Sequence, residues 1–302
     1  MTSPLERIES HPNESKRLIG VKYRDFIILV KLGEQRHIKK QEELEKKKVR
    51  LIAAGGGRKT QMNPDTGVCL CLFYLRHKPT FEVLGLLFDV SRTKANNTFN
   101  YWLEIIRDIL PASQIEEVEF DEEKYQQLRE ELCEYELVVD SAEQAIERPG
   151  NYKQQKKYYS GKKKMHTRKN QFIVLPGGQD IVDVSIGELG KTSDIALFRK
   201  GRDRLDKKQQ FLADKAYIGE ESITTPCKKP KKGELTDRQK ESNRRLSSRR
   251  IGVEHLICRL KVFRVASERF RLARHRYTQV IMVVCGLVRL HLNPSFKLGF
   301  NI

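Results

Sequence analysis

No stretch of this 302-residue chain is long and apolar enough to span a membrane: the longest apolar run, Val280 to Val288 with Gly286 inside it, is about half of the roughly 20 residues a span requires. Cysteine is scarce and scattered. Cys69, Cys71, Cys133, Cys227, Cys258 and Cys285 form no Cys-x-x-Cys pair, which argues against a zinc ribbon and against a disulfide framework. His255 and Cys258 lie three apart but have no second ligand pair in sequence, so they read as ordinary helix residues. The opening MTSPLERIES lacks the basic and then apolar layout of a secretory signal, and a cytoplasmic protein with no membrane partner is expected.

Acid is also lacking, but in one half only. Residues 1–150 hold 23 Lys and Arg against 26 Asp and Glu, whereas residues 151–302 hold 35 against 14; the halves carry −3 and +21, which sum to the net +18. A charge of that density repels itself unless a polyanion neutralises it, which makes nucleic acid the leading partner. The length allows one sizeable core and a smaller module.

Residues 16–54 read as helical, with an apolar patch from Phe26 to Val30, and the Gly55, Gly56, Gly57 run reads as a hinge. A second helix runs from Asp65 to Arg76. Thr80 then caps FEVLGLLF, Asp89-Val90-Ser91 makes a short turn, and Ser91 caps RTKANNTFNYWLEIIRDIL, which closes at Pro111. Two helices about a three-residue turn form the layout of a helix-turn-helix, with Arg92, Thr93 and Lys94 opening the helix that would enter the major groove. An ordinary helical hairpin has the same periodicity. Trp102, Leu103, Ile106 and Leu110 read as packing residues. Residues 116–136 carry ten acids and two bases and read as a solvated linker helix.

From Leu137 the pattern turns to β. Strands are expected over residues 136–141, 172–175 and 181–186, the last two joined by Pro176-Gly177-Gly178-Gln179. A helix over 192–200, a strand over 211–217 bearing Asp214, and a further strand over 223–226 follow. The stretch 264–272 reads as strand or loop, and 277–290 as a closing helix. Between the first two strands lies KQQKKYYSGKKKMHTRK, with eight Lys and Arg, His166, and Tyr158 and Tyr159 interleaved. Its cations suit phosphates and its tyrosines suit bases; a solvated loop is the plainer reading.

The segment Leu246 to Lys261 is an amphipathic helix. At about 100° per residue, with Arg250 at zero, Glu254 falls near 40°, Lys261 near 20° and Ser247 near 60°, while Leu256, Leu260, Val253, Leu246 and Ile257 share the flank from about 240° to 340°. An acid thus sits between two cations on one stripe. Taken alone this is a surface ion pair worth about 0.2–0.5 kcal/mol. With Asp140 on the first strand and Asp214 on the fourth, however, Glu254 completes three hard oxygen donors on separate elements. Such a set suits two Mg²⁺ ions, about 3.5–4 Å apart, that act in in-line phosphoryl transfer.

These pieces together resemble the DDE transposases of bacterial insertion sequences, of the insertion-sequence-5 group and its DDE superfamily endonuclease relatives. LRHKPTFEVLGLLFDVSRTKANNTF resembles the helix-turn-helix that precedes the nuclease there, and VVDSAEQAI, YYSGKKKMHT, ADKAYIG and RRIGVEHLICRLKVF resemble the nuclease. The family's Tyr-x2-Arg-x3-Glu-x6-Lys signature falls on Ser247, Arg250, Glu254 and Lys261, with serine in place of tyrosine. Its Ser-x-His-Asp element reads Thr192-Ser193-Asp194 without a histidine, so nothing catalytic is assigned to Asp194.

The resemblance implies an α/β fold, a ribonuclease-H-like mixed sheet flanked by helices and preceded by an all-α helix-turn-helix domain. The organisation expected is an N-terminal helical segment (1–58), the helix-turn-helix (59–112), an acidic linker (113–135) and the catalytic domain (136–302). Asp140, Asp214 and Glu254 would be catalytic and hold two Mg²⁺ ions, with Mn²⁺ substituting. Arg250, Lys261, Lys162, Lys163, Lys164 and His166 would contact DNA, as would Arg92, Thr93 and Lys94. The partners would be double-stranded DNA, both terminal inverted repeats and target, and further copies of the chain in a homodimer or larger assembly at the nucleoid. A catalytically silent DNA-binding protein, or a nuclease that cuts without joining, remains open on the sequence.

Overall fold

A computed structural model describes residues 2–47 and 62–292, and the hinge expected at Gly55–Gly57 lies outside them. The chain forms two compact units: residues 1–110 with 263–265, and residues 111–262 with 266–302.

The first unit is helical. After the short helices α1 (Pro4–Ser10) and α2 (Ser15–Ile19), Gly20 takes a left-handed conformation, so the single helix expected from residue 16 is broken before α3 (Tyr23–Lys46). Then come α4 (Pro64–His77), α5 (Phe81–Leu87) and α6 (Arg92–Ile109). Thr80 and Ser91 cap α5 and α6 as expected, their hydroxyls accepting from the Val83 and Lys94 N–H groups. The turn between them depends on Gly85, where a Cβ would lie 2.5 Å from the Val90 carbonyl oxygen. Trp102, Leu103, Ile106 and Leu110 are buried as packing residues.

The second unit begins with α7 (Gln114–Val118) and α8 (Glu122–Leu132). The acidic stretch read as a solvated linker is thus anchored: Ile115 and Leu132 are buried in the same core as Leu137, Val139 and Phe211, with Tyr125 and Leu128 packed against it. Ten acids mask a sparse apolar stripe that suffices to dock two short helices.

Six strands form a mixed sheet: β1 (Leu137–Ala145), β2 (Tyr159–Ser160), β3 (Met165–Val174), β4 (Ile181–Leu189), β5 (Phe211–Leu212) and β6 (Ile223–Thr224). Central β1 runs antiparallel to β3 and parallel to β5; β6 continues beyond β5, and β4 and β2 both pair with β3. The strand expected from Phe172 starts seven residues earlier, at Met165, because the polar run Thr167, Lys169, Asn170, Gln171 is buried and satisfied inside the fold. Asn170, for one, donates to the Tyr277 hydroxyl and accepts from Gly187 N–H. Hydropathy cannot detect such a strand.

Helices α9 (Tyr152–Tyr158), α10 (Asp194–Gly201), α11 (Asp237–Lys261), α12 (Arg264–Ser267) and α13 (Tyr277–Leu292) complete the described elements of regular α-helix. Helix α11 starts nine residues before the expected Leu246, at a Thr236–Gln239 capping box, and its first turns are largely exposed. Arg289 on α13 is fully buried; it grips Asp180 with two hydrogen bonds of 2.8 and 3.0 Å and also reaches Glu117 and the Pro111 carbonyl.

Candidate active site

Asp140 sits in the middle of β1, where the buried run Leu137–Val139 gives way to half-buried residues. Parallel pairing sets Val138 beside Leu212, and Asp140 and Asp214 each follow two residues on, near enough for the Asp214 charge to act on Asp140. The strand expected over 211–217 ends early for a local reason. Ala213 N–H still bonds to Thr224, but the Asp214 carboxylate turns to accept from Ala216 N–H at 2.8 Å and opens a 3₁₀ turn. Asp214 therefore stands just past the strand end. Tyr217, fully buried behind it, shares its hydroxyl with Ser141 at 2.9 Å and accepts from Gln171 at 3.0 Å; burial raises its pKa.

Glu254 arrives on α11, and its place depends on a contact between glycines. Gly252 packs on the turn between β3 and β4 so closely that a Cβ there would lie 2.3 Å from the Gly177 carbonyl carbon. Gly178, at φ +68°, would place a Cβ 2.3 Å from the Gly252 carbonyl oxygen. Val253, Leu256, Ile257 and Leu260 are buried as the periodicity predicts, Leu246 is only half-buried, and Arg249 pairs with Glu136 beside β1.

The polar stripe of α11 then meets β1. Arg250, 12% exposed, places Nη2 4.0 Å from an Asp140 oxygen and 3.9 Å from a Glu254 oxygen, so the (i, i+4) pair seen in sequence is one arm of a three-residue bridge. Its buried Nε makes no hydrogen bond among the described residues. Burial pushes the Asp140 carboxyl from its ordinary 3.8 to about 6; the Ser141 N–H and Arg250 pull it back, and the charges of Asp214 and Glu254 raise it. Glu254, with 57% of its side chain exposed, opens to solvent.

Asp140 and Glu254 border one cavity of about 260 Å³. Lys162, Lys163 and Lys261 line it too, so three of the expected DNA-contacting cations gather there. The other two of that run do not. Lys164 occupies the tight turn at φ +54°, and His166 lines a different hollow. Cys258 is on the cavity wall and His255 is exposed.

Glu143 and Asp194 also line the cavity, though neither is among the site residues that the sequence points to. Lys169, buried on β3, joins them: its ammonium lies 2.8 Å from Asp194 and 3.9 Å from Glu143 and donates to the Thr192 carbonyl at 2.7 Å. Glu143 and Lys169 are direct cross-strand partners, a signal legible only once the β1–β3 register is known. In the helical unit, Arg92 and Thr93 are exposed at the start of α6, while Lys94 is half-buried; Arg92 pairs with Glu82 at 3.0 Å.

Three all-oxygen donors, one with its ionisation opposed by burial and by the other two, match in kind what a hard divalent cation takes. Among the described residues no three such side chains come together closely enough to enclose an ion, and Arg250 lies between Asp140 and Glu254. No described helix is long and apolar enough to cross a membrane.

The family described as DDE superfamily endonuclease matches residues 139–289, and the helix-turn-helix of DDE superfamily endonuclease matches residues 60–112. The superfamily typically uses divalent metal ions. Over 281 residues the chain is 30% identical to a Microchaete diplosiphon protein described as a probable transposase for insertion sequence element IS702; the match covers 92% of this chain and 94% of that protein. No solved structure matches it. The mixed sheet with acids at its centre, the cation-lined cavity and the capped helix pair ahead of them agree with both matches: the chain belongs to the DDE superfamily endonucleases and carries that superfamily's helix-turn-helix.

Proposed function

We propose that the protein is a DNA transposase that binds the terminal inverted repeats of an insertion sequence, cleaves at the element's ends and joins the freed 3′-hydroxyls to target DNA. The observation that carries this reading is a cavity in which Asp140 and Glu254 face Lys162, Lys163 and Lys261. Carboxylates alone would repel a DNA strand; flanked by three lysines, they receive one. Asp140, Asp214 and Glu254 would hold Mg²⁺, with Mn²⁺ substituting, and the bound cations would supply charge neutralisation at the scissile phosphate and activation of water or a 3′-hydroxyl. Arg250 would leave its bridge between Asp140 and Glu254 to take a phosphate, and the lysines would hold the strand on either side. Arg92, Thr93 and Lys94 would read or clamp the repeat. Two or more copies of the chain would work together on paired ends, at the nucleoid of a bacterial cytoplasm.

The test is incubation of the purified protein with Mg²⁺ and DNA carrying the flanking ends of its own gene. Nicking at the element boundary and joining of pre-nicked ends to a second DNA are expected. Nicking without joining would reduce the protein to a nuclease, and neither would leave a silent DNA-binding protein.

A further inference from the structure

A second hollow, of about 420 Å³, opens on the nuclease unit away from the acids, lined by Arg148, Tyr152, Gln155, Lys156, Tyr159 and His166. Its walls are aromatic. Tyr152 is 68% exposed and Tyr159 43%, and the Tyr159 and His166 rings meet edge to face at 5.7 Å. Burial and the neighbouring Arg148 lower the His166 pKa, which favours the uncharged ring. Its rim is cationic: Lys156 lies 4.9 Å from the Tyr152 ring centroid, and Arg148 is held in place by Gln155, 3.0 Å away, which in turn donates to the Pro149 carbonyl. Residues 144–169 carry nine Lys and Arg against the single acid Glu147, which lies 3.9 Å from Arg269.

Lysines alone are enough to hold a phosphate chain. Exposed rings around a hollow are not explained by phosphate, because an aromatic face gains little from an anion and leaves apolar area in water. What combines a flat face with a flanking anion is a nucleotide: base on ring, phosphate on Lys or Arg. The volume falls in the range of small-ligand pockets, about 300–1,000 Å³. Paired bases inside a duplex do not offer their faces, so the base must be unpaired.

Position supports the same occupant. Ile146, the residue after β1 and six on from Asp140, bonds through its N–H to the His166 carbonyl, and at about 3.3 Å per residue this puts the hollow roughly 20 Å from Asp140. We propose that the Tyr152–Tyr159–His166 hollow stacks one unpaired nucleobase of the same DNA that reaches the acids, roughly 20 Å from Asp140, with Arg148 and Lys156 on the adjoining phosphates. This rests on the reading of the protein as a DNA-processing enzyme.

The test compares the full-length protein and its Y152A, Y159A, Y152F and Y159F variants on two DNAs: a blunt duplex and the same duplex with a ten-nucleotide single-stranded tail carrying 2-aminopurine. Wild type should bind the tailed DNA more tightly and change the fluorescence of the 2-aminopurine. Each alanine variant should lose about 5- to 150-fold of that preference, each phenylalanine variant should keep it, and the affinity for the blunt duplex should not change. Equal losses on both DNAs, or no loss on the tailed one, would overturn the hollow as a base site. Failure of wild type to bind even the blunt duplex would overturn the DNA reading itself, and the proposal with it. Both tyrosines are on the surface, and an unchanged circular dichroism melt checks that the variants fold.

Discussion

Asp140→Asn should make the metal-free protein more stable while abolishing any chemistry that needs the carboxylate. In the folded chain the carboxyl ionises at about 6 instead of 3.8, chiefly because it is buried. Between those two values the native state holds a proton that the unfolded chain has released, so stability falls as pH rises through the window, and the full cost is present above about pH 6. Each pH unit is worth about 1.4 kcal/mol, which puts that cost at about 3 kcal/mol. Only 21% of the side chain is exposed, so solvent does not erase it. Asparagine has the same shape and can still accept from Ser141 N–H, but carries no charge.

Urea denaturation in chelator at pH 7.5 should therefore show the variant more stable by about 1–3 kcal/mol, the lower bound allowing for Arg250 losing one of its two acid partners. By pH 4 the gain should have shrunk to near zero. Asp183, also raised to about 6 by burial, titrates in the same range in both proteins and cancels in the difference. A saturating divalent cation should stabilise wild type, by about 2.7 kcal/mol at a hundred times Kd, and stabilise the variant much less. A variant no more stable than wild type at pH 7.5, or a gain independent of pH, would refute the account of Asp140 as an ionised group held at a cost until a cation arrives.

Glu254→Gln and Asp214→Asn should abolish divalent-dependent cleavage and joining and leave end binding intact, and combining them should add little, since groups that act as one unit are not additive; near wild-type cleavage by Glu254→Gln would remove the three-acid site. Neutralising Lys162 and Lys163 should flatten the slope of log affinity against log salt by about one for every phosphate no longer neutralised, whereas Lys164, which does not line the cavity, should contribute less. Gly252→Ala should cost about 1–3 kcal/mol in stability by forcing α11 off the Gly177–Gly178 turn, and should lower activity more than Ala at exposed Ile251; equal activities would mean that the glycine packing does not place Glu254. Replacing Arg92 and Lys94 by alanine should erase discrimination between end DNA and random DNA, at about 1–3 kcal/mol for each side chain that reads a base, as measured by competition binding.

Much of this protein is legible in local chemistry. Caps such as Thr80 and Ser91 act through backbone groups two or three residues away, and the 3.6-residue rhythm of Val253, Leu256, Ile257 and Leu260 follows from helix geometry, so a linear reading finds them. That apolar runs lead up to Asp140 and Asp214 is likewise readable, but that β1 continues past Asp140 to Ala145 and that β5 stops at Leu212 is not. What depends on partners distant in sequence is not. The polar run from Thr167 to Gln171 is a central strand because Glu143, Tyr277 and the Thr192 carbonyl satisfy it. The acidic stretch is docked because Ile115 and Leu132 find a core that other elements build.

The candidate site divides the same way. That three acids and a set of cations lie on separate elements follows from residue types and element order alone, and the chain displays both. Folding in three dimensions was needed to set Arg250 between Asp140 and Glu254, to bring Lys162 and Lys163 into their cavity while His166 faces another, and to line that cavity with Glu143 and Asp194, both paired to Lys169. Those outcomes depend on strand register and on the glycine packing that seats α11, and both are set between residues dozens of positions apart, where a shift of one residue would turn each strand side chain to the opposite face.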